Sequence, residues 1–281
     1  MLEINKIYNE DCIVTMEKMS ENDIYANIIL TSPPYNTGRH ADNHKDNRMR
    51  NYEQRYLDYE ETKTIDEYND WMVDIFNHYN TVLAKDGVIL FNISYGNENP
   101  NQLWLTIAEI IKRTGFMVAD VICWKKSNAL PNNVSPNKLT RICEFVFVFC
   151  REYEYDTYIS NKSISSVSKT GQKYYNSIYN IIEAKNNDGS NKLNKATFSE
   201  DFVTSLLTMY CPPPSKIGRK LLIYDSFMGT GTTAVGCTMY GVNYIGSEIS
   251  KDQIDLAEKR LVGYSLTDIN KDIHKGNKKL F

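Results

Sequence analysis

The stretch LLIYDSFMGTGTTAVG, residues 221 to 236, decides the fold. A buried-strand pattern ends at Tyr224, Asp225 follows, and Gly229 and Gly231 lead into a helix. Glycines at such a junction let the chain turn tightly and bring backbone N–H groups close to a ligand at a helix N-terminus. A Gly-x-Gly between strand and helix is equally compatible with a plain tight turn. The next strand, Tyr244 to Glu248, favours the ligand reading. It delivers a carboxylate to a strand tip one helix further on, where it can accept both hydroxyls of a ribose. The loop lacks the Gly-Lys-Ser/Thr ending of a phosphate-binding loop, which favours a nucleoside-type ligand over a triphosphate.

Outward from this unit, strands and helices alternate, as in an α/β sheet. Ala26 to Ser32 is a short buried-strand pattern that runs into Pro33 and Pro34. Thr64 and Glu67 form a capping box, and Tyr68, Met72, Ile75, Phe76 and Tyr79 behind it recur at helical spacing. Gly87 is expected to end that helix, with a strand over Val88 to Ile93. A further helix from Asn99-Pro100 stops at Gly115, and Phe116 to Trp124 and Glu144 to Cys150 read as strands. From Arg151 to about Asn194 the texture turns to Ser, Asn, Lys and Tyr with weak periodicity. A second capping box, Thr197 to Glu200, then opens a helix through Tyr210. Strands follow at Lys220 to Ser226 and Asn243 to Ser247, and helices at Thr232 to Tyr240 and Ser250 to Val262.

The chain has 281 residues, enough to bury one sizeable core. Its net charge of −3 carries no global signature of polyanion binding, so any such contact must come from local patches. No apolar run reaches membrane-spanning length and no signal peptide is evident. The six cysteines show neither zinc-ligand nor disulfide-framework spacing. His40 and His44 lie in a loop-like segment and read as a solvated pair, so no metal is expected. The expectation is a reduced, soluble, cytoplasmic protein.

The turn Thr31-Ser32-Pro33-Pro34-Tyr35-Asn36 suits one chemical task. Two prolines fix φ and remove two donors, leaving carbonyl oxygens on a stiff loop. An aromatic amine attacks poorly because its lone pair is delocalised into the ring. Acceptors at Ser32 Oγ and the Pro33 carbonyl can bond its hydrogens and stabilise the charge that develops as nitrogen becomes tetrahedral. Tyr35 can stack on the base, which reaches such a pocket only after leaving the duplex. Taken alone, the turn is also compatible with an ordinary Pro-Pro bend and a packed tyrosine.

Together these segments resemble the permuted, β-class amino-directed DNA methyltransferases, in which the catalytic motif precedes the cofactor motif. The family's (D/S)PPY matches Ser32, Pro33, Pro34 and Tyr35, and its DPFxGSGTT matches Asp225 to Thr233, with Ser226 and Thr230 as departures. YIGSEIS around Glu248 resembles the family's YIGIEIS, Asn9 to Cys12 its GDC segment, Lys195 to Ser199 its KATFP, and Trp124 to Pro131 its WxKxNxMP. The resemblance implies a Rossmann-like mixed seven-stranded methyltransferase sheet with helices on both faces and a polar target-recognition insert. Residues 1–150 would form the catalytic half, 151–194 the insert and 195–281 the cofactor half. It implies S-adenosyl-L-methionine as cofactor, bound by Asp11, Cys12, Thr197, Phe198, Asp225, Phe227, Gly229, Gly231, Thr232, Thr233 and Glu248.

Methyl transfer would be direct. Ring-carbon cytosine methylases use a Pro-Cys nucleophile, and no proline here is followed by cysteine. Double-stranded DNA is the implied partner. Residues 124–195 hold 11 Lys and Arg against six Asp and Glu, with tyrosines interleaved, and the loop after Asn36 is also basic. Arg39, Arg48, Arg50, Lys125, Lys126, Asn128 and Arg141 are the candidate DNA contacts. Members of the family are often homodimers, and a companion restriction endonuclease is a further partner the resemblance allows. Serine at the first motif position goes more often with cytosine N4, aspartate with adenine N6, so cytosine is favoured and adenine is the alternative. RNA and protein-glutamine methyltransferases usually place the cofactor loop before the proline turn. A non-catalytic cofactor-binding module should show a damaged motif, and both motifs here look intact.

Overall fold

Alternate residues of the central strands divide between two cores, and this division builds the layers of the molecule. A computed structural model describes residues 2–36, 63–94, 99–129, 136–188 and 197–264. In strand β2 (Ala26–Thr31), Ile28 and Leu30 join one core while Ala26 and Ile29 join the other. In β3 (Leu83–Ile93), Val88 and Leu90 face the first core, Ile89 and Phe91 the second. A strand buried on both faces needs helices on both sides of the sheet.

The remaining elements supply them. Strand β1 (Lys6–Tyr8) precedes α1 (Cys12–Glu21), and α2 (Ile65–Val82) lies between β2 and β3. Helix α3 (Gln102–Arg113) leads to the antiparallel pair β4 (Phe116–Lys126) and β5 (Cys143–Arg151). Next come a two-stranded hairpin, β6 (Ile164–Val167) and β7 (Lys173–Tyr175), and strand β8 (Ile181–Ala184). Then follow α4 (Glu200–Tyr210), α5 (Pro214–Ile217), β9 (Leu222–Asp225), α6 (Thr232–Tyr240), β10 (Asn243–Ser247) and α7 (Lys251–Val262). The main sheet runs β1-β10-β9-β2-β3-β5-β4-β8, parallel except where β5 pairs with β3 and β4. Helices α4, α6 and α7 cover one face through Phe202, Ala234 and Ile254. Helices α1, α2 and α3 cover the other through Met16, Phe76 and Leu103. Phe76 meets Tyr79, Phe91, Phe116 and Phe149 edge-on at centroid distances of 5.0 to 5.9 Å.

Three details differ from the sequence expectation. The sheet has eight strands rather than seven, because Ile181 to Ala184 of the polar segment pairs in parallel with Cys123 to Lys126. Only Ile182 and Ala184 of that strand are buried, too few apolar positions to mark it in the sequence. Helix α2 stops at Val82, a turn before Gly87. The guanidinium of Arg151 takes the carbonyls of Asn80, Leu83 and Ala84 at 3.0, 2.7 and 3.1 Å. Gly87 instead allows a close approach, since a Cβ there would lie 2.8 Å from Leu83 Cδ1. Finally, α4 is capped by Ser199, whose side chain accepts from Phe202 N, rather than by Thr197. Pairing and packing from distant segments override local signals at helix ends. No helix among the described residues is long and apolar enough to cross a membrane.

Arg151 also pairs with Glu154 at 3.1 Å, with 8% and 5% of the two side chains exposed. Removing one member of such a pair strands the other charge in a poorly solvated site. R151M is therefore expected to lose about 3–5 kcal/mol of stability in urea denaturation. R151M/E154L should recover part of that loss, because no buried carboxylate is left unpaired.

Candidate active site

Strands β9 and β2 are parallel neighbours whose following helices depart to opposite faces, α6 to one and α2 to the other. Such a switch point opens a crevice beyond the carboxyl ends of the strands. The crevice here is a cavity of about 300 Å³. Its walls come from the ends of β1 (Glu10, Asp11, Cys12), β9 (Phe227, Gly229, Thr230) and β10 (Glu248, Ile249, Ser250). Ser32 and Pro34 border it from the end of β2, with Lys63, Trp71, Thr197 and Phe198 completing the rim.

The glycine loop is held from inside. Asp225 is 1% exposed and accepts from Thr31 Oγ1 at 2.8 Å, Phe227 N at 3.0 Å and Thr233 Oγ1 at 2.6 Å. Burial pushes its carboxyl up to about 6 against the pull of these three donors. Asp225 and Thr233 therefore shape the loop from beneath and do not line the cavity. Gly231 lies outside it too. It caps α6 at φ 80°, and a Cβ there would sit 2.5 Å from Ala257 Cβ, so this glycine serves close packing against α7. Gly229, at φ 55°, does line the cavity.

Glu248 stands at the tip of β10, as the strand pattern requires. Its two oxygens accept from Gly229 N and Ser250 N, each at 2.8 Å. Burial raises its pKa, and these backbone donors pull the other way. An ionised carboxylate has about four acceptor sites, so capacity remains for a ligand diol. Asp11 caps α1 by accepting from Ile13 N at 2.8 Å. Beside it, burial and the Asp11 charge push the Cys12 thiol far up, so Cys12 contributes a wall rather than a thiolate. Glu10 pairs with Lys18, and Trp71 at the rim carried no motif signal. Phe227 packs edge-on against Trp71 at 5.6 Å, and Ile249 remains 47% exposed at the cavity.

The proline turn joins this cavity to a second set of polar groups. Tyr68 donates to Pro34 O at 2.7 Å and pins the turn. Ser32 Oγ lies 3.1 Å from the Tyr35 hydroxyl and 3.3 Å from Asn92 Oδ1. Tyr35 in turn reaches Asn92 Oδ1 at 3.0 Å and Glu144 Oε2 at 3.2 Å. Neither Pro33 nor Tyr35 lines the cofactor-sized cavity; the tyrosine sits on the far side of Ser32, toward β3 and β5. Asn92 and Glu144 read as ordinary strand residues in the sequence, and only strand pairing brings them here.

The candidate DNA contacts are dispersed. Lys125 pairs with Glu183 at 3.0 Å on the surface, whereas Lys126 pairs with Glu144 and lies 5.0 Å over the Trp124 ring. Asn128 accepts from Asn186 N at 2.6 Å. Arg141 precedes β5, and Arg39, Arg48, Arg50, His40 and His44 fall outside the described residues. Tyr174, Tyr175 and Tyr179 are more than half exposed. Among the described residues no cluster of three or more His, Cys, Asp or Glu could hold a metal.

The mixed sheet, the switch-point cavity and the proline turn at its edge define a Rossmann-like methyltransferase. The chain matches the N6/N4 DNA methylase family over residues 26–259 and belongs to it. Type II methyltransferase M.BglII of Bacillus subtilis is 22% identical over 279 residues, covering 92% of this chain and 69% of that protein. Orphan methyltransferase M.BamHII of Bacillus amyloliquefaciens is 23% identical, covering 88% and 93%. The solved PvuII DNA methyltransferase, described as cytosine-N4-specific, has a TM-score of 0.64 at 17% identity over 94% of this chain and 89% of that one. The M1.HpyAVI–SAM complex has a TM-score of 0.57 at 20% identity over 91% and 98%. These structures share the fold.

Asp225 offers a test with a defined sign. Its folded pKa, about 6, lies above the ordinary 3.8, so the native state keeps a proton that the unfolded chain has lost. This group's contribution to stability is full below the unfolded value and is lost as pH rises through the folded one. D225N should flatten the change in urea midpoint between about pH 4 and about pH 6 relative to the native chain.

Proposed function

We propose that this DNA methyltransferase is site-specific, uses S-adenosyl-L-methionine, and methylates the exocyclic amino nitrogen of a flipped base, with cytosine N4 favoured over adenine N6. The single observation that carries this reading is the position of Ser32. It is shared between the wall of the nucleoside-sized cavity and the hydroxyl cluster beyond it. A methyl donor in the cavity and an amino group beyond Ser32 would therefore meet at one side chain.

The residues present fit the cofactor. Glu248 matches a ribose diol, and Phe227 and exposed Ile249 provide apolar surface for a flat ring. Asp11 adds negative charge suited to a cationic ligand. When bound, S-adenosyl-L-methionine supplies an electrophilic methyl group on a sulfonium. The chain's own part is to hold the acceptor. Ser32 Oγ accepts an amino hydrogen, which draws nitrogen toward a tetrahedral geometry and stabilises its developing charge. The rigid turn keeps that geometry without reorganisation, because Tyr68 already fixes the Pro34 carbonyl. The base enters from DNA held by the residue 151–194 insert and the basic loop after Asn36, and must leave its stack to do so.

Incubation with unmethylated genomic DNA and S-adenosyl-L-methionine, followed by nucleoside mass spectrometry, tests the proposal. N4-methylcytosine supports it in full. N6-methyladenine keeps the chemistry and overturns the base, and no product with cofactor binding intact overturns the reading. In calorimetry, E248A should weaken cofactor binding about 10- to 100-fold, the value of a hydrogen bond to a charged group. S32A should bind cofactor normally and lose most of its turnover.

A further inference from the structure

The amino nitrogen of a base carries two hydrogens, and after gaining a methyl group it must shed one of them. Around Ser32 the turn offers prolines, which cannot take a proton, and Asn92, whose amide is not basic. Its orientation is also fixed, because Asn92 Nδ2 donates to Phe145 O at 3.1 Å and leaves Oδ1 facing the two hydroxyls. The carboxylate in reach is Glu144. Its Oε2 lies 3.2 Å from the Tyr35 hydroxyl, which lies 3.1 Å from Ser32 Oγ. Glu144 is 13% exposed and its other oxygen pairs with Lys126, itself 16% exposed. Neither residue is needed to bind the cofactor, since neither lines the cavity.

Resting on the functional reading above, we propose that Glu144, held by Lys126, is the proton acceptor of the reaction and is reached through Ser32 and Tyr35. An N–H bond of the methylated amino group breaks and its electron pair stays on nitrogen, which becomes neutral. The proton forms an O–H bond with Ser32 Oγ as the serine's own proton passes to the Tyr35 oxygen. The tyrosine's proton passes to Glu144 Oε2, which ends as a carboxylic acid. Ser32 and Tyr35 each gain one proton and give one up, and Glu144 keeps the proton that nitrogen lost, so no further reagent is required. Two features favour this direction. Tyr35 is a donor to the carboxylate, and the Lys126 ammonium on its other oxygen holds the carboxylate in place. Lys126 is then a positioning residue of the site, and its charge is already engaged at Glu144 rather than presented to a phosphate. Lys126 from β4 and Tyr35 from the turn both face Glu144.

The test compares pH–rate profiles under single-turnover conditions, with cofactor and DNA affinities measured on the same proteins. In the native enzyme the rate should fall toward acid, as it does for a reaction that uses a general base. E144Q retains a hydrogen-bond acceptor for Tyr35 but no proton acceptor. It should lose about 10²- to 10⁴-fold in rate, the usual range for general-base catalysis, and lose the acid limb. K126M frees the Glu144 oxygen that Lys126 holds, so its rate should fall while both affinities stay native-like, and K126R should recover part of the loss. E144Q/K126M, which leaves no unpaired charge, serves as the folding control and should resemble E144Q. Native-like rates and an unchanged acid limb in E144Q, with both affinities intact, would overturn the relay while leaving the methyltransferase reading in place. No turnover by the native chain would instead overturn that reading.

Discussion

The carboxylate of Asp225 is fully enclosed, and the donors that meet it belong to different parts of the chain. Thr31 comes from the end of β2, Phe227 from the glycine loop and Thr233 from the first turn of α6. Beside it, Ser226 Oγ lies 3.0 Å from Thr31 Oγ1 and 2.5 Å from the hydroxyl of Tyr79 on α2. This knot sits where β9 and β2 run side by side and their helices part company. Because an unpaired buried carboxylate is costly, the satisfied arrangement is strongly preferred over any that lets the strands slip. It therefore ties the loop that shapes the cavity to the strand that presents Ser32.

From that knot the division of labour in the site follows. Asp225, Gly231 and Thr233 build the loop, while Gly229, Thr230 and Glu248 line the cavity. Motif residues that look equivalent in a string thus do two physically different things. The same holds for the basic residues. Lys125 and Lys126 are adjacent in sequence, yet strand alternation sends one to a surface pair with Glu183 and the other to Glu144 beside the turn.

The antiparallel strand β5 has a role beyond closing the sheet. Its pairing with β3 sets Asn92 opposite Val146 and brings Glu144 within reach of Tyr35. A parallel neighbour would have needed a long crossover and would have offered a different strand end at that point. The hydroxyl cluster of the turn is thus a product of sheet topology as much as of the turn itself.

Much was legible in the sequence for reasons that are local. Periodicity marked most of the long helices and strands, Thr64 and Glu67 announced the start of α2, and the glycine loop with Glu248 marked the cavity. Such signals survive because a strand–loop–helix unit is specified by residues close together in the chain. What only the tertiary structure decided was long-range. The end of α2 depends on Arg151, some 70 residues away, through a carbonyl contact with |i−j| of 71. The edge strand β8 forms because β4 is there to pair with it. Asn92 and Glu144 join Ser32 and Tyr35 through pairings 57 and 109 residues apart. No spacing rule reaches that far: which distant side chains meet is set by how the strands order themselves once both faces of the sheet are buried.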